Sequence, residues 1–403
     1  MKRANSERQL SWVRILILLM NSAQIRGKRT QTALLAWAPL LVGVLNSYGT
    51  PAFNYGFALY FLDYRHGFVK RGLVGEMFSG VSFLSRGRLL AIEYVFLAVA
   101  FAATYGVFRN VLFGTSAERK LAAALLCAPA LLPHIGYLFA QPDVTLYILV
   151  LACVGLFLRA SPLLAAVITC PLCCVALLAH EAFCLMFYPL IAVILLQLCS
   201  RRRLPWVVGV VHVLLFATAF VAVMHWGTLK ISPAALLAEA QARTNVGVQS
   251  QVYDVMASTF SQQQELVRRM YTPFVWRVLA LTLVLSIPYL VLLARLLWNA
   301  MRGAGLPLAH RVWTGLLFTS PLLLCALGHD TTRWIGAMCI NATLFVLYLY
   351  LTEPRESQSR QSMLNWVDEE SFVPWMIYLV AIGPYGATGL RMADQVISTW
   401  YGP

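Results

Sequence analysis

Four polar clusters interrupt a chain that is otherwise strongly apolar. The stretch FLDYRHGFVKRGLVG, residues 61–75, places Asp63 close to Arg65, His66, Lys70 and Arg71. Arginine beside lysine suits phosphate, because a planar fork donates two parallel hydrogen bonds while a mobile ammonium adds a point charge. Gly67, Gly72 and Gly75 permit tight bends or close backbone approach there. Asp63 is the carboxylate best placed to take a proton from an attacking hydroxyl. The competing reading is a basic juxtamembrane helix over 68–78 whose charges only fix its position, with Lys70 and Arg71 turned to headgroups.

In LLAHEAFCLMFYP, residues 177–189, His180 and Glu181 stand between two apolar stretches. Histidine titrates near neutral pH, and an apolar site tunes glutamate upward, so either can serve as a base. Helix capping or packing is the alternative. Residue 184 is Cys184, not a second histidine, so the zinc-peptidase HExxH pattern is missing. Asp143 follows Pro142 where a span should begin; it either caps the helix or binds a substrate or partner residue. In CALGHDTTRWIGA, residues 325–337, Asp330 and Arg333 are three apart and face each other across one turn, with His329 beside them. Arg333 at the head of a span can hold phosphate or close an internal ion pair.

The elements that must position these groups are membrane helices. Of the 403 residues 60% are hydrophobic and 12% charged, and mean hydropathy is +0.70. Soluble domains carry about 25% charged residues. Apolar runs at roughly 31–49, 89–108, 121–139, 143–159, 162–179, 182–199, 205–225, 274–295, 312–328, 334–352 and 372–390 predict an all-α polytopic bundle of about eleven spans. Pro129, Pro133, Pro162, Pro171 and Pro189 make 121–199 the region where helices bend, break or start. Lysine and arginine concentrate before residue 30, at 109–120, at 201–203 and at 296–311, which places the N terminus in the cytoplasm. Asp63, Asp143, His180, Glu181, His329, Asp330 and Arg333 then share the outer face. The chain divides into a basic cytoplasmic segment 1–30 with an interfacial helix near 12–20, one transmembrane domain 31–390 with outer loops 50–88 and 226–273, and a short outer tail 391–403. The second loop should hold one or two partly amphipathic helices ending near Arg268, Arg269 and Tyr271.

The formal charge of +14 sits in short segments between apolar runs, which fits membrane lipids and no nucleic acid. The nine cysteines, CPLCC included, lie mostly within apolar runs as small hydrophobes, and the Asn341 sequon falls inside a span. No nucleotide-binding loop is present, so an enzyme of this kind draws energy from its own substrate, such as a lipid-linked phosphate ester. A first outer loop with an acid, a juxtamembrane element after it, many later spans and a second outer loop resemble the GT-C superfamily of membrane glycosyltransferases. DYRHGFVKRGLVG, the later HE and HDTTRW are similar to bacterial membrane proteins of surface-polysaccharide synthesis. The resemblance implies transfer of a sugar from a polyprenyl-phosphate-linked donor to a glycan or glycolipid acceptor at the outer face of a bacterial cytoplasmic (inner) membrane. Asp63 matches its catalytic acid, with His180 and Glu181 as further bases. Arg65, His66, Lys70, Arg71, Asp143, His329, Asp330 and Arg333 are the candidates for substrate and phosphate. The sequence identifies no particular cofactor, and a divalent cation is compatible with the chemistry. The paired acids of several GT-C branches and their large outer C-terminal domain are lacking. A repeat-unit polymerase and a lipid or glycan flippase remain as alternatives.

Overall fold

The computed structural model describes residues 28–47, 53–258, 260–326, 328, 330–354, 356–364, 369–386 and 389–401. The segment 12–20, His329 and residues 365–368 lie outside the described residues. Within them the fold is all-α, with one isolated bridge between Tyr385 and Leu390. In hydrocarbon every peptide group must be satisfied inside its own segment, and helices do that.

The chain runs through α1 (Lys28–Ser47), α2 (Phe53–Ala58) with a 3-10 turn Leu59–Phe61, α3 (Leu73–Met77), and α4 (Arg86–Leu112). Next come α5 (Ser116–Cys127), α6 (Leu132–Tyr137), α7 (Asp143–Arg159), α8 (Pro162–Ala179), α9 (Phe183–Met186), α10 (Tyr188–Ser200) and α11 (Trp206–Trp226). Three short helices follow, α12 (Pro233–Ala242), α13 (Gln251–Ala257) and α14 (Phe260–Met270). The last part comprises α15 (Pro273–Gly303), α16 (Leu308–Phe318), a 3-10 stretch Ser320–Ala326, α17 (Thr331–Thr352), α18 (Gln358–Leu364), α19 (Glu369–Ile382) and α20 (Arg391–Tyr401).

Six segments are long and apolar enough to cross a membrane: α4, the stretch Ser116–Tyr137 made of α5 and α6, α8, α11, α15 and α17. This is an integral, multi-pass membrane protein. The remaining apolar helices, including Trp37–Ser47, Tyr188–Ser200 and Phe372–Ile382, are shorter, so the about eleven spans expected from hydropathy are not all matched by full-length helices. Proline explains part of the difference. α5 stops before Pro129, α6 and α10 carry Pro133 and Pro189 in their first turns, and Pro162 opens α8, whereas Pro171 is accommodated inside it.

Burial separates centre from rim: the best apolar window of Ser116–Tyr137 is 94% buried and that of α17 83%, against 22% for α11. Trp206, Val207, Leu214, Val221 and Trp226 of α11 are exposed, as lipid-facing side chains are. The centre is packed through small residues. A Cβ on Gly136 of α6 would stand 2.1 Å from the Gly43 carbonyl oxygen of α1, so two helix backbones meet there directly.

Three expectations change in detail. The helix over 68–78 is confined to Leu73–Met77. The loop 226–273 holds three helices. The tail after 390 forms α20, packed against α15. Asn341 is buried, its Nδ2 donating to the Met186 carbonyl at 2.7 Å, which leaves the sequon inaccessible. All nine cysteines are free thiols.

Candidate functional site

The turn from Leu62 to Gly72 is wound tightly enough to aim two cations in one direction. Gly67 has φ +101° and Arg71 φ +63°. A Cβ on Gly72 would press to 2.5 Å from the Tyr64 ring, and one on Gly75 to 2.1 Å from the Leu62 carbonyl. The Lys70 N–H donates to the Gly227 carbonyl at 3.0 Å, fastening the turn to the end of α11. A left-handed backbone at an arginine costs roughly 1–2 kcal/mol. Here it delivers the guanidinium to Glu181: Nε lies 2.8 Å from Oε2 and Nη2 2.5 Å from Oε1.

Glu181 occupies the break between α8 and α9, and His180 is the extended residue that caps the C-terminal end of α8. His180 Nδ1 accepts from the Ala182 N–H at 3.1 Å, which assigns the neutral ring's proton to Nε2, and Glu181 Oε2 is 3.5 Å away. Burial, followed by the charge of Arg71, lowers the His180 pKa well below the usual imidazole range. Burial alone would raise the Glu181 carboxyl. The charge and hydrogen bonds of Arg71, with Lys70 behind it, outweigh burial and hold Glu181 below the usual carboxylate range. Lys70 is half-buried and makes no ion pair with a described residue; burial lowers its ammonium pKa.

A second pair adjoins the first. Asp143 opens α7 but does not cap it, since the cap residue is Pro142 and no side-chain cap bond forms. Its Oδ2 instead lies 2.7 Å from Arg333 Nε, in ion-pair contact without hydrogen-bond alignment. Arg333 Nη1 donates to Asp330 Oδ2 at 2.6 Å, so one guanidinium holds two carboxylates. The charges of Arg71, Lys70 and Arg333 all act on His180, and that of Arg71 also acts on Asp143. Four helix ends, distant in sequence, therefore share one electrostatic site.

Asp63 turns elsewhere. Its Oδ1 accepts from Arg65 N–H and Nε at 3.3 and 3.0 Å, and its Oδ2 from Arg65 Nε and Arg243 Nη1 at 2.9 and 3.1 Å. Burial pushes the carboxyl up, but these hydrogen bonds prevail and leave it below its ordinary value. Arg243 also donates to the Phe78 and Val81 carbonyls and lies over the Phe61 ring. His66 Nε2 meets Glu239 Oε2 at 3.0 Å, with Arg65 Nη2 at 3.9 Å from the same oxygen. Asp63, Arg65 and His66 thus engage the loop above them, while Lys70 and Arg71 serve the cluster around Glu181.

Arg243 and Glu239 were not among the residues singled out from sequence. In LLAEAQARTNV they read as the solvated end of an amphipathic helix, and nothing local marks Arg243 as a partner 180 residues from Asp63. The contact of Tyr271 Oη with Thr331 Oγ1 at 2.5 Å, which ties the same loop to the head of α17, is also long-range. A further carboxylate, Glu93 of α4, is buried and accepts from Tyr60 Oη at 2.7 Å. Among the described residues no group of three or more His, Cys, Asp or Glu side chains is arranged to hold a metal ion.

Comparison with protein-family models finds no match, and neither the curated proteins nor the solved structures contain one. The site is therefore read from its own chemistry.

Proposed function

We propose that this membrane protein transfers a sugar from a polyprenyl-phosphate-linked donor to a glycan or glycolipid acceptor at the outer face of the membrane. The observation that carries this reading is the placement of Lys70 and Arg71 beside Glu181 and His180 where apolar helices end. A lipid-borne phosphate arrives at that depth with its tail in hydrocarbon. In this reading the short apolar helices complete about eleven crossings in a GT-C-like arrangement. The N terminus is cytoplasmic and the membrane is the bacterial cytoplasmic (inner) one.

Glu181 takes the proton of the acceptor hydroxyl. The acceptor oxygen bonds to the anomeric carbon, and the bond from that carbon to phosphate oxygen breaks with its electron pair left on the phosphate. Lys70, Arg71 and Arg333 stabilise that charge in a site shielded from water. The GT-C resemblance assigns the base role to Asp63. Asp63 faces Arg243 of the loop and not the Glu181 cluster, so in this reading Glu181 is the base and Asp63 shapes the turn that presents Lys70 and Arg71.

The test uses purified protein in lipid with labelled donors of single-sugar and whole-repeat size. Glu181→Gln should lower transfer about 10²–10⁴-fold, with His180→Ala and Asp63→Asn measured beside it. Transfer that survives Glu181→Gln would remove the base assignment. Buried ion pairs across helix ends also suit a gate. Movement of labelled glycolipid across liposomes without any transfer would establish a flippase.

A further inference from the structure

Glu181 and a phosphate make the same demand on Arg71. The carboxylate meets the Nε and Nη2 edge of the guanidinium through two oxygens, at 2.8 and 2.5 Å, which is the geometry in which arginine takes a phosphate. We infer that Glu181 occupies the phosphate position on Arg71 in the ligand-free protein, and that a lipid phosphate binds by displacing it from the guanidinium while Lys70 takes up the remaining charge. This rests on the proposed function only for the identity of the lipid phosphate.

Two further features support the exchange. Lys70 is a half-buried residue whose charge acts on Glu181 and His180 and which has no ion-pair partner among the described residues, so a cation is already partly desolvated for an anion to meet. The cluster's formal charges also cancel: Lys70, Arg71 and Arg333 carry +3, and Glu181, Asp143 and Asp330 carry −3. With both Arg71 and Arg333 already engaged by carboxylates, an incoming phosphate can be forked by a guanidinium of this site only by displacing one of them. Glu181 is the carboxylate to move, because Asp143 and Asp330 are both held by Arg333. Displacement also has a mechanistic consequence. While forked by Arg71 the carboxylate is a weak base. Released beside His180, it can accept the proton of an acceptor hydroxyl, so donor binding precedes and licenses acceptor activation.

The test measures binding of polyprenyl monophosphate and of inorganic phosphate to the full-length protein in phosphatidylcholine nanodiscs. Arg71→Gln and Lys70→Gln should each weaken binding, and Glu181→Gln should tighten it roughly tenfold, equivalent to about 1.4 kcal/mol. Weakening by Glu181→Gln, or no binding of either probe to wild type, overturns the inference. If that variant does not fold, a structure of wild type with polyprenyl monophosphate decides: Arg71 should hold the phosphate with Glu181 out of hydrogen-bond reach, and an intact pair overturns the exchange. The same variant pattern with inorganic phosphate identifies a free phosphate site, and the pattern with the lipid probe alone identifies a lipid one. The pattern without sugar transfer leaves the exchange standing and removes the transferase reading; transfer without the tightening does the reverse.

Discussion

Two arginines meet on the buried carboxylate of Asp63. Both its oxygens are engaged by Arg65 and Arg243, and Arg243 in turn satisfies two carbonyls of the 78–81 turn. Asp63→Asn leaves a buried guanidinium short of its counter-charge, a loss of about 1–3 kcal/mol. Because the folded-state pKa is depressed, this stabilisation is present above the unfolded value near pH 4 and is lost as pH falls through the folded value. Melting temperatures in detergent should therefore separate wild type from Asp63→Asn most at pH 7, and the gap should close below about pH 4. A gap of constant size across that range would mean that the charge of Asp63 contributes nothing to stability. The acids and bases of these clusters are legible in the sequence, but their partners are not. Asp330 and Arg333 were legible because three residues of helix bring them together. The partners Arg71 and Glu181, 110 residues apart, and Asp63 and Arg243 are products of tertiary packing.

Helices carry the next level, and hydropathy located them better than it measured them. Every expected apolar run contains helix, yet α10 and α16 are only 13 and 11 residues long. A hydropathy window sees composition and is blind to a 3-10 stretch such as Ser320–Ala326 or to a break at His180. Small residues were equally silent in sequence, because a glycine reads alike in a crossing and on a rim. A Cβ added to Gly136 would stand 2.1 Å from the Gly43 carbonyl oxygen, whereas one added to Gly155 of α7 has nothing within 4 Å. Gly136→Ala should force α1 and α6 apart at a cost of about 1–3 kcal/mol. Gly155→Ala should be neutral or stabilise by up to about 1 kcal/mol through helix propensity alone. Thermal unfolding followed by size exclusion in one detergent compares the two; equal melting temperatures would show that the α1 and α6 backbones do not meet as described.

At the scale of the whole molecule, the end of the bundle opposite the site is tied shut. Arg201 Nη1 meets Glu353 Oε1 at 2.6 Å while its Nη2 donates to the Ala304 carbonyl, joining the ends of α10, α15 and α17. Glu118 Oε1 accepts from Tyr350 Oη at 2.5 Å and from Arg360 Nη2 at 3.1 Å, and the Arg360 guanidinium lies over the Tyr350 ring. A transporter has to open both ends in turn, so these contacts would break once per cycle. An enzyme working at one face never needs to break them. Glu118→Cys with Arg360→Cys, bridged by a bifunctional maleimide, converts the second tie into a covalent one. Sugar transfer should continue at the rate of the uncrosslinked double variant, with the single-cysteine variants controlling for modification of the native thiols. Loss of activity on bridging, in a protein that still binds polyprenyl monophosphate, would mean that the opposite end moves during turnover. The ion pairs around Glu181 and Arg333 would then be the second gate of an alternating cycle, each closing while the other opens.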